Sequence, residues 1–218
     1  MREYLVQKIE GSLTLDGNMG KSEWASVEAR EIAEYPWYRD GKKQKTIFKA
    51  LYSDTALYLL FECEDVHIHS EFTELNGPVC RDSCVEFFAS SAPERGLAYF
   101  NLEMNCCGIL LFGQGPDRGH RTRIDAELAS RISIFHSVPG STKEESEEDD
   151  GWVIEAEVPF AVLAEFAGAD APKSGTQWRF NAYRCGGKTD DQYAAIFPID
   201  TPHPNFHTPE FFGPMRFE

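Results

Sequence analysis

Residues 46–63 read TIFKALYSDTALYLLFEC, and this stretch decides the fold class. Two apolar runs rich in aromatic and β-branched residues, 46–52 and 56–63, flank the polar break Ser53-Asp54-Thr55. Strands joined by a tight turn have this composition, so the stretch predicts a β-hairpin. The dominant apolar period along the chain is two rather than 3.6, which is typical of strands.

Further segments with the same alternation predict strands along the rest of the chain. They are residues 84–88, 97–105, 108–112, 131–135, 152–158, 177–185 and 211–217. One convincing helix is predicted over 159–166, with Pro159 at its first position and Gly168 after its end, and short helical turns are predicted around 22–25 and 125–129. Many short strands with one crossover helix are typical of two packed antiparallel sheets. We therefore predict an all-β sandwich, with residues 1–218 forming one domain.

Composition and charge limit the partners. The chain has 218 residues, 42% of them hydrophobic, which is enough for a sizeable core. Its formal net charge is -15, so neither nucleic acid nor an anionic membrane is expected as a partner, because both need a basic surface. The run 143–150 concentrates acidic residues and is interpreted as a solvated loop rather than a calcium site. The oligomeric state stays open.

The N-terminus and the cysteines bear on the compartment. No apolar segment of a signal peptide follows Met1, which predicts a cytoplasmic protein and leaves a secreted or periplasmic location open. No apolar run approaches the ~20 residues that span a bilayer. The six cysteines show no CxxC pair and no zinc spacing; their even number permits disulfides that a domain of this length does not require.

The predicted strand 97–105 has an unusual polar face. Alternation places Tyr99, Asn101, Glu103 and Asn105 on one side and only apolar residues on the other. The polar side lacks lysine, and amides beside a carboxylate and a phenol are groups that satisfy sugar hydroxyls. An ordinary solvated outer face is the alternative interpretation.

Glu86 is a second candidate, because it stands among apolar residues in Val85-Glu86-Phe87-Phe88. Burying an unpaired charge is expensive, so a specific partner is expected. Arg184 shares the parity of the inward-facing aromatic residues of its strand. We predict that Glu86 and Arg184 meet, either as part of a ligand site or as a purely structural ion pair.

Motifs of catalysis and metal binding are weak. The sequence holds no GxSxG elbow, no glycine-rich phosphate loop and no HExxH. A glycosidase needs two carboxylates across a cleft, but among 36 acidic residues some pair always exists, so such a pair does not indicate a glycosidase. His67 and His69 lack a third ligand at a telling distance and are expected to be exposed. Haem ligation is disfavoured, because Met104 points inward and no histidine pairs with it. His207, on a proline-rich loop, is expected to pack on the sandwich or to rim a site.

Several stretches, taken in order, resemble carbohydrate-binding module family 9, in the broader group of DOMON-like sandwiches. They are Leu15-Asp16-Gly17 with Glu23-Trp24, residues 49–54 with 57–59, residues 81–88 (RDSCVEFF), Gly151-Trp152 with Glu155 and residues 158–160, residues 178–181 with Arg184, and residues 206–207 with 209–213. Together they cover most of the chain. The resemblance implies an immunoglobulin-like or jelly-roll-type sandwich that binds sugars, often at a chain end, with structural calcium in some members.

The resemblance also implies site residues. It maps the family's glutamate onto Glu86 and its late-strand amide and guanidinium onto Asn181 and Arg184. The family's two stacking tryptophans are missing: the first place holds Val79-Cys80-Arg81, and at the second Tyr193 or Phe197 is expected to substitute. The candidate ligand-binding set is Glu86, Arg184, Asn181, Asn101, Glu103, Arg81, Tyr193 and Phe197.

These observations predict a non-catalytic domain that binds mono- or oligosaccharides. A role beside carbohydrate-degrading hydrolases, in carbohydrate catabolism, accords with the resemblance. Two alternatives stay open: a glycoside-active enzyme or enzyme subunit, recognisable by two carboxylates facing each other across a cleft, and a protein-interaction domain that has lost sugar binding, recognisable by a continuous exposed apolar patch.

Overall fold

The computed structural model describes residues 2–146, 148–187, 189 and 192–218. Within these ranges the chain is built almost entirely of strands. The strands are β1 (Tyr4–Lys8), β2 (Arg30–Glu31), β3 (Thr46–Tyr52), β4 (Ala56–Glu64), β5 (Cys84–Ser90), β6 (Tyr99–Asn105), β7 (Leu110–Gly115), β8 (Thr122–Arg123), β9 (Ser133–His136), β10 (Gly151–Pro159), β11 (Gln177–Cys185), β12 (Ala194–Ala195) and β13 (Gly213–Phe217).

The strands form two layers. The first has the order β8-β7-β6-β5-β11-β13, with β12 paired to β11, and the second has the order β3-β4-β10-β9, with β2 paired to β3. Strand β1 joins them: residues 4–6 pair with β13, and residues 7–8 pair with β3. Both β1 pairings are parallel, which is the exception to the antiparallel pairing predicted for the two sheets.

The core lies between the two layers. The Phe48 ring from β3 meets Phe87 of β5 at 6.0 Å and Phe180 of β11 at 5.8 Å, so aromatic rings bridge the sheets directly. Burial of apolar area of this kind is the main stabilising contribution in a domain of this size. The predicted all-β sandwich is confirmed.

A second apolar cluster covers the outer side of the first layer. It includes Phe88, Tyr99, Tyr183, Phe206 and Phe212, and it buries the strand face that a free sheet would turn to water. The C-terminal loop, which carries Phe206 and Phe212, supplies this cover. Strands β5 and β6 are consequently buried on both faces along their whole length.

The helices are few and short. They are α1 (Ser22–Ala25), α2 (Ala126–Ala129) and α3 (Phe160–Ala167), all three at places predicted from the sequence. Gly168 ends α3 in the left-handed conformation (φ 65°) and donates its N–H to Ala164, as a glycine C-cap does. Among the residues described, no helix is long and apolar enough to cross a membrane.

Candidate functional site

The polar face of β6 is present as predicted, but it is covered rather than solvated. Asn101 and Asn105 are fully buried, and Glu103 is 4% exposed. The segment before β5 covers part of this face, and Asn105 holds it in place. The side-chain N–H₂ of Asn105 donates to Ser70 Oγ, the Phe72 carbonyl and Asp82 Oδ2. Asn105 therefore has a structural role.

Two carboxyl groups lie side by side on this face. Glu86 of β5 and Glu103 of β6 are directly opposite in the antiparallel register, so their side chains project to the same side. Cys185 Sγ donates to Glu86 Oε1 (3.0 Å), and Asn101 Nδ2 donates to Glu103 Oε1 (2.8 Å). The second oxygen of each has no partner among the described residues and is not enclosed by protein.

Burial changes the protonation of this pair. Desolvation, reinforced by the neighbouring Glu103 charge, raises the pKa of Glu86 well above its ordinary value. Desolvation also raises the pKa of Glu103 to about 7, against the attraction of Arg123. Two adjacent buried carboxyls therefore hold a proton between them near neutral pH, which provides both an O–H donor and carboxylate acceptors.

The pair forms the floor of a cavity of about 260 Å³. Its wall comes from five places in the chain: the turn before β5, the β7–β8 loop, the end of β11, the residue before β12 and the C-terminal loop. The lining residues are Cys80, Arg81, Glu86, Glu103, Arg118, Cys185, Tyr193, Pro204, Asn205, Phe206 and His207.

Two aromatic residues give the cavity a ring wall. Phe206 stacks face to face on Tyr183 (centroids 4.1 Å apart), which fixes it, and Tyr193 meets Phe206 edge to face at 5.9 Å. Trp37 packs behind both rings, at 6.2 Å from Tyr193 and 5.8 Å from Phe206. Trp37 therefore supports the wall from behind, and the rings that line the cavity are Tyr193 and Phe206.

The predicted meeting of Glu86 and Arg184 is wrong. In the register of β5 and β11, Glu86 is opposite Tyr183, and Arg184 is opposite Val85, so the two side chains point to opposite faces of the sheet. Arg184 is 3% exposed and its Nη2 donates to Asp65 Oδ2 at 2.6 Å. Its guanidinium carbon lies 4.8 Å from the Trp152 ring. Arg184 belongs to the core and does not line the cavity.

Asp65 is the residue that sequence reasoning missed. Besides Arg184 it accepts from Trp152 Nε1 (2.9 Å) and Ser83 Oγ (2.7 Å). Burial alone would raise the pKa of Asp65, but Arg184 and these donors outweigh it and lower the pKa. No local pattern singles out an aspartate just after β4, because its cationic partner is 119 residues further along the chain.

Of the other predicted residues, the structure brings some to the cavity and leaves others outside it. Arg81 and Tyr193 line the cavity with the two glutamates. Asn101 is one step removed, holding Glu103 and accepting from Arg121. Asn181 accepts from the backbone N–H groups of residues 196 and 197 and donates to the Phe197 carbonyl, so its amide joins β11 to the segment after β12.

Phe197 cannot act as the substitute stacking ring. It lies in the core, edge to face with Phe180 at 5.4 Å, and its ring sits where a side chain at Gly213 would be. The lining residue that the sequence could have revealed is Arg118. It belongs to the arginine-rich segment 118–123, which stands out in an acidic chain.

The residues do not fit the calcium that the family resemblance implies. In the part of the chain that the structure describes, no group of three or more His, Cys, Asp or Glu could hold a metal ion. The carboxylate of Glu155 accepts from the backbone N–H groups of Asp16 and Gly17 and from Trp24 Nε1. The Lys21 ammonium supplies the cation there, 2.9 Å from Glu155 and 2.8 Å from Asp16.

Two other metal candidates have structural contacts instead. His69 is buried rather than exposed as predicted, with Nδ1 3.2 Å from the Lys143 carbonyl, and His67 is half-buried. The acidic run 143–150 is largely exposed, as predicted; Asp149 accepts from the Ile68 N–H, and Glu147 lies outside the described residues.

The overall shape matches solved structures. A putative carbohydrate-binding protein from Bacteroides uniformis ATCC 8492 superposes with a TM-score of 0.87 at 24% identity, covering 100% of this chain and 99% of that chain. A carbohydrate binding module family 9 from Caldicellulosiruptor kristjanssonii, in complex with cellotriose, gives a TM-score of 0.64 at 18% identity and covers 100% of this chain and 94% of that chain. The same module with glucose gives 0.63 at 18% identity, covering 98% and 95%. These likenesses establish the fold.

Sequence comparison supplies the family. No curated protein sequence matches the chain. A family model described as Carbohydrate-binding family 9 matches residues 18–217, nearly the whole length. The match spans both layers of the sandwich and every residue that lines the cavity, so the chain belongs to carbohydrate-binding family 9.

Proposed function

We propose that this chain binds a carbohydrate, without catalysis, in the cavity above Glu86 and Glu103. The observation that carries the proposal is the pair of buried carboxyl groups, each with one oxygen turned to the cavity and without a partner among the described residues. These two oxygens are open to the cavity, so the hydroxyl groups of a ligand can reach them and form hydrogen bonds with them. Family membership supports the same function.

The cavity has the chemistry of a sugar site. Sugar hydroxyls both donate and accept hydrogen bonds. A carboxyl pair that holds about one proton can donate to them through its O–H and accept from them through its carboxylate oxygens. Tyr193 offers a ring against which the C–H face of a sugar packs with little loss of side-chain freedom. His207, neutral and 2.7 Å from the Tyr99 hydroxyl, adds a further polar group to the rim.

The size of the cavity bears on the length of the ligand. About 260 Å³ lies below the ~300–1,000 Å³ typical of drug-sized ligands. This suits one sugar ring better than an extended stretch of polysaccharide. Binding of a monosaccharide or of a chain end is therefore the form of the function that we propose.

The arrangement of the acids supports binding over hydrolysis. A glycosidase holds its two carboxyls on opposite sides of the scissile bond. Glu86 and Glu103 instead project side by side from neighbouring strands of one sheet face. The interaction-domain alternative also lacks support: the large hydrophobic residues exposed in the described part are Tyr38, Leu75 and Leu97, each in a different loop.

Calorimetric titration tests the proposal. The first panel is glucose and cellotriose, the sugars in the solved family 9 complexes, with galactose, mannose and xylose added. We expect at least one saturable isotherm for the wild-type chain and at least tenfold weaker binding for Glu86→Ala. The control Glu94→Ala, at an exposed glutamate on the turn 93–95, should bind as the wild type does. A flat response across the panel and across charged sugars would remove the proposal.

A further inference from the structure

The rim of the cavity carries two cationic groups that form no ion pair with any residue the structure describes. Arg81 and Arg118 both line the cavity, and neither has an ion pair or a side-chain hydrogen bond among the described residues. The nearby acid Asp117 is engaged by His120 at 2.9 Å. In a chain of net charge -15, two guanidinium groups without an ion pair among the described residues stand beside one cavity, where the charge of Arg118 also acts on Glu86 and Glu103.

Two further arginines extend the positive region beneath the rim. Arg121 lies over the Tyr99 ring at 4.2 Å and donates to the carbonyls of Tyr99 and Gly115. Arg123 is the strongest favourable charge acting on Glu103. Arg118 and Arg121 lie in the connection between β7 and β8, and Arg123 lies in β8, so one short segment brings three guanidinium groups close to Glu103, whose pKa all three lower.

His207 reports the sign of the field at the cavity wall. Burial is the first cause that lowers its pKa, to about 3, and the charges of Arg121, Arg118 and Arg123 lower it further. An imidazole on the wall of this cavity therefore stays neutral at physiological pH. A protonated, cationic group would meet the same opposition at this position.

The acids of the floor do not cancel this field. Glu86 and Glu103 face each other across adjacent strands, where two full negative charges repel in a poorly hydrated place. The pair is therefore suited to hydroxyl groups, whereas the arginines above it are suited to an anion. Cys80 and Cys185, which also line the cavity, add no charge, because desolvation and the nearby Glu86 carboxyl group raise the pKa of both thiols.

We propose that the sugar bound in this cavity is an acidic one, a uronic acid whose hydroxyls lie on Glu86 and Glu103 and whose carboxylate lies against Arg118 and Arg81. The inference rests on the proposed function, because it names the substrate class of the same site. Guanidinium groups match a carboxylate with two parallel N–H···O bonds, and such charge-assisted bonds are about twice as strong as neutral ones.

A matched pair of ligands tests the inference. Methyl β-D-glucuronide and methyl β-D-glucoside share their ring configuration and differ only in the oxidation state of the sixth carbon. Calorimetry at pH 7 and low salt should show the glucuronide binding on the order of tenfold or more tightly than the glucoside. The preference should shrink as salt rises, because the rim arginines are exposed.

Variants assign the preference to residues. Arg118→Gln and Arg81→Gln should each weaken glucuronide binding by a larger factor than glucoside binding, so that the ratio of the two affinities falls. Arg131→Gln, an exposed arginine elsewhere on the surface, is the control that should keep it.

The outcomes separate the inference from the proposed function. Equal or tighter binding of the glucoside overturns the acidic-sugar inference and leaves carbohydrate binding intact. Tighter binding of methyl glucosaminide than of the glucuronide also overturns the inference, and it would indicate that Glu86 and Glu103 bind a cationic sugar. Binding of none of the three, with the neutral panel also flat, overturns the proposed function itself.

Discussion

Arg184 and Asp65 form a buried ion pair, Nη2 to Oδ2 at 2.6 Å, on the face of β11 that turns away from Glu86. The pair joins β11 in the first layer to the end of β4 in the second, and Trp152 and Ser83 complete the hydrogen bonding of the aspartate. The structural role and the ligand-binding role that the sequence predicts for a Glu86–Arg184 pair therefore belong to different residues. Arg184 holds the layers together, and Glu86 faces the cavity.

Replacing Arg184 should destabilise the fold and spare the cavity. Arg184→Met leaves Asp65 buried without its cation, a change that costs roughly 3–5 kcal/mol in comparable buried pairs. Denaturant unfolding measures the loss, with Arg131→Met as the exposed control that should change stability by less than about 0.5 kcal/mol. Sugar affinity of the folded variant should stay within about twofold of the wild type. A stable variant that has lost sugar binding would contradict this division.

The Arg184–Asp65 pair also predicts how the stability of the fold changes with pH at acidic pH. The folded-state pKa of Asp65 is lowered, so its contribution is present above the ordinary carboxyl pKa and is lost as pH falls through the lowered folded value. Melting temperatures measured between pH 2 and pH 7 should decline less steeply on the acid side for Arg184→Met than for the wild type. An identical slope in both proteins would show that Asp65 does not titrate as described.

The sequence predicted the layers better than it predicted the site, and the register of β5 against β11 explains why. Alternation separates the faces of a strand only when one face is polar. In β5 both faces are apolar, because Val85 and Phe87 enter the core while Cys84 and Phe88 enter the second cluster under the C-terminal loop. Nothing local therefore showed which way Glu86 points.

Other parts of the site depended on distant chain segments. The cavity wall is completed by residues 204–207, more than 100 positions after Glu86, and their position follows from loop packing that no periodicity encodes. The polar face of β6 could be predicted, because its two faces differ in character. Strand β1 was missed: at five residues it is short, and it is stabilised by pairing with β13 and β3 from opposite parts of the chain.

The carboxyl pair should make the fold less stable as pH rises. The folded-state pKa of Glu103 is raised to about 7, so the folded state binds more protons than the unfolded state between the ordinary glutamate pKa and that value. Stability then falls as pH increases through this window. Glu103→Gln keeps an acceptor for Asn101 and removes the titration, so it should stabilise the protein by roughly 1–3 kcal/mol at pH 8 and little at pH 4. Denaturant unfolding at both pH values measures this, and uniform destabilisation would contradict it.

The Lys21 ammonium should neutralise the Glu155 carboxylate, so the fold should not need calcium at this place. A chelator such as EDTA is therefore expected to leave the melting temperature of the wild type unchanged. Lys21→Met keeps the aliphatic stem and removes the ammonium beside Glu155, and it should cost roughly 1–3 kcal/mol. Lys173→Met is an exposed control. A fall in melting temperature on chelation would show that the chain binds a metal after all.

Tyr193 should carry the ring contact of the bound sugar. Tyr193→Ala is expected to weaken binding by about 1–2 kcal/mol, or roughly five- to thirtyfold, through loss of stacking area. Tyr38→Ala removes an exposed ring that does not line the cavity and should bind as the wild type does. Both variants should unfold at similar denaturant concentrations. Equal losses in the two would place the ligand on the Trp37–Tyr38 loop instead.

The central claim is the location of the ligand, and a crystal structure with a bound sugar measures it most directly. The account predicts difference density in the cavity, with ring hydroxyls within hydrogen-bonding distance of Glu86 and Glu103 and one ring face against Tyr193. Well-ordered sugar density elsewhere, with this cavity holding only water at saturating ligand, would contradict the account.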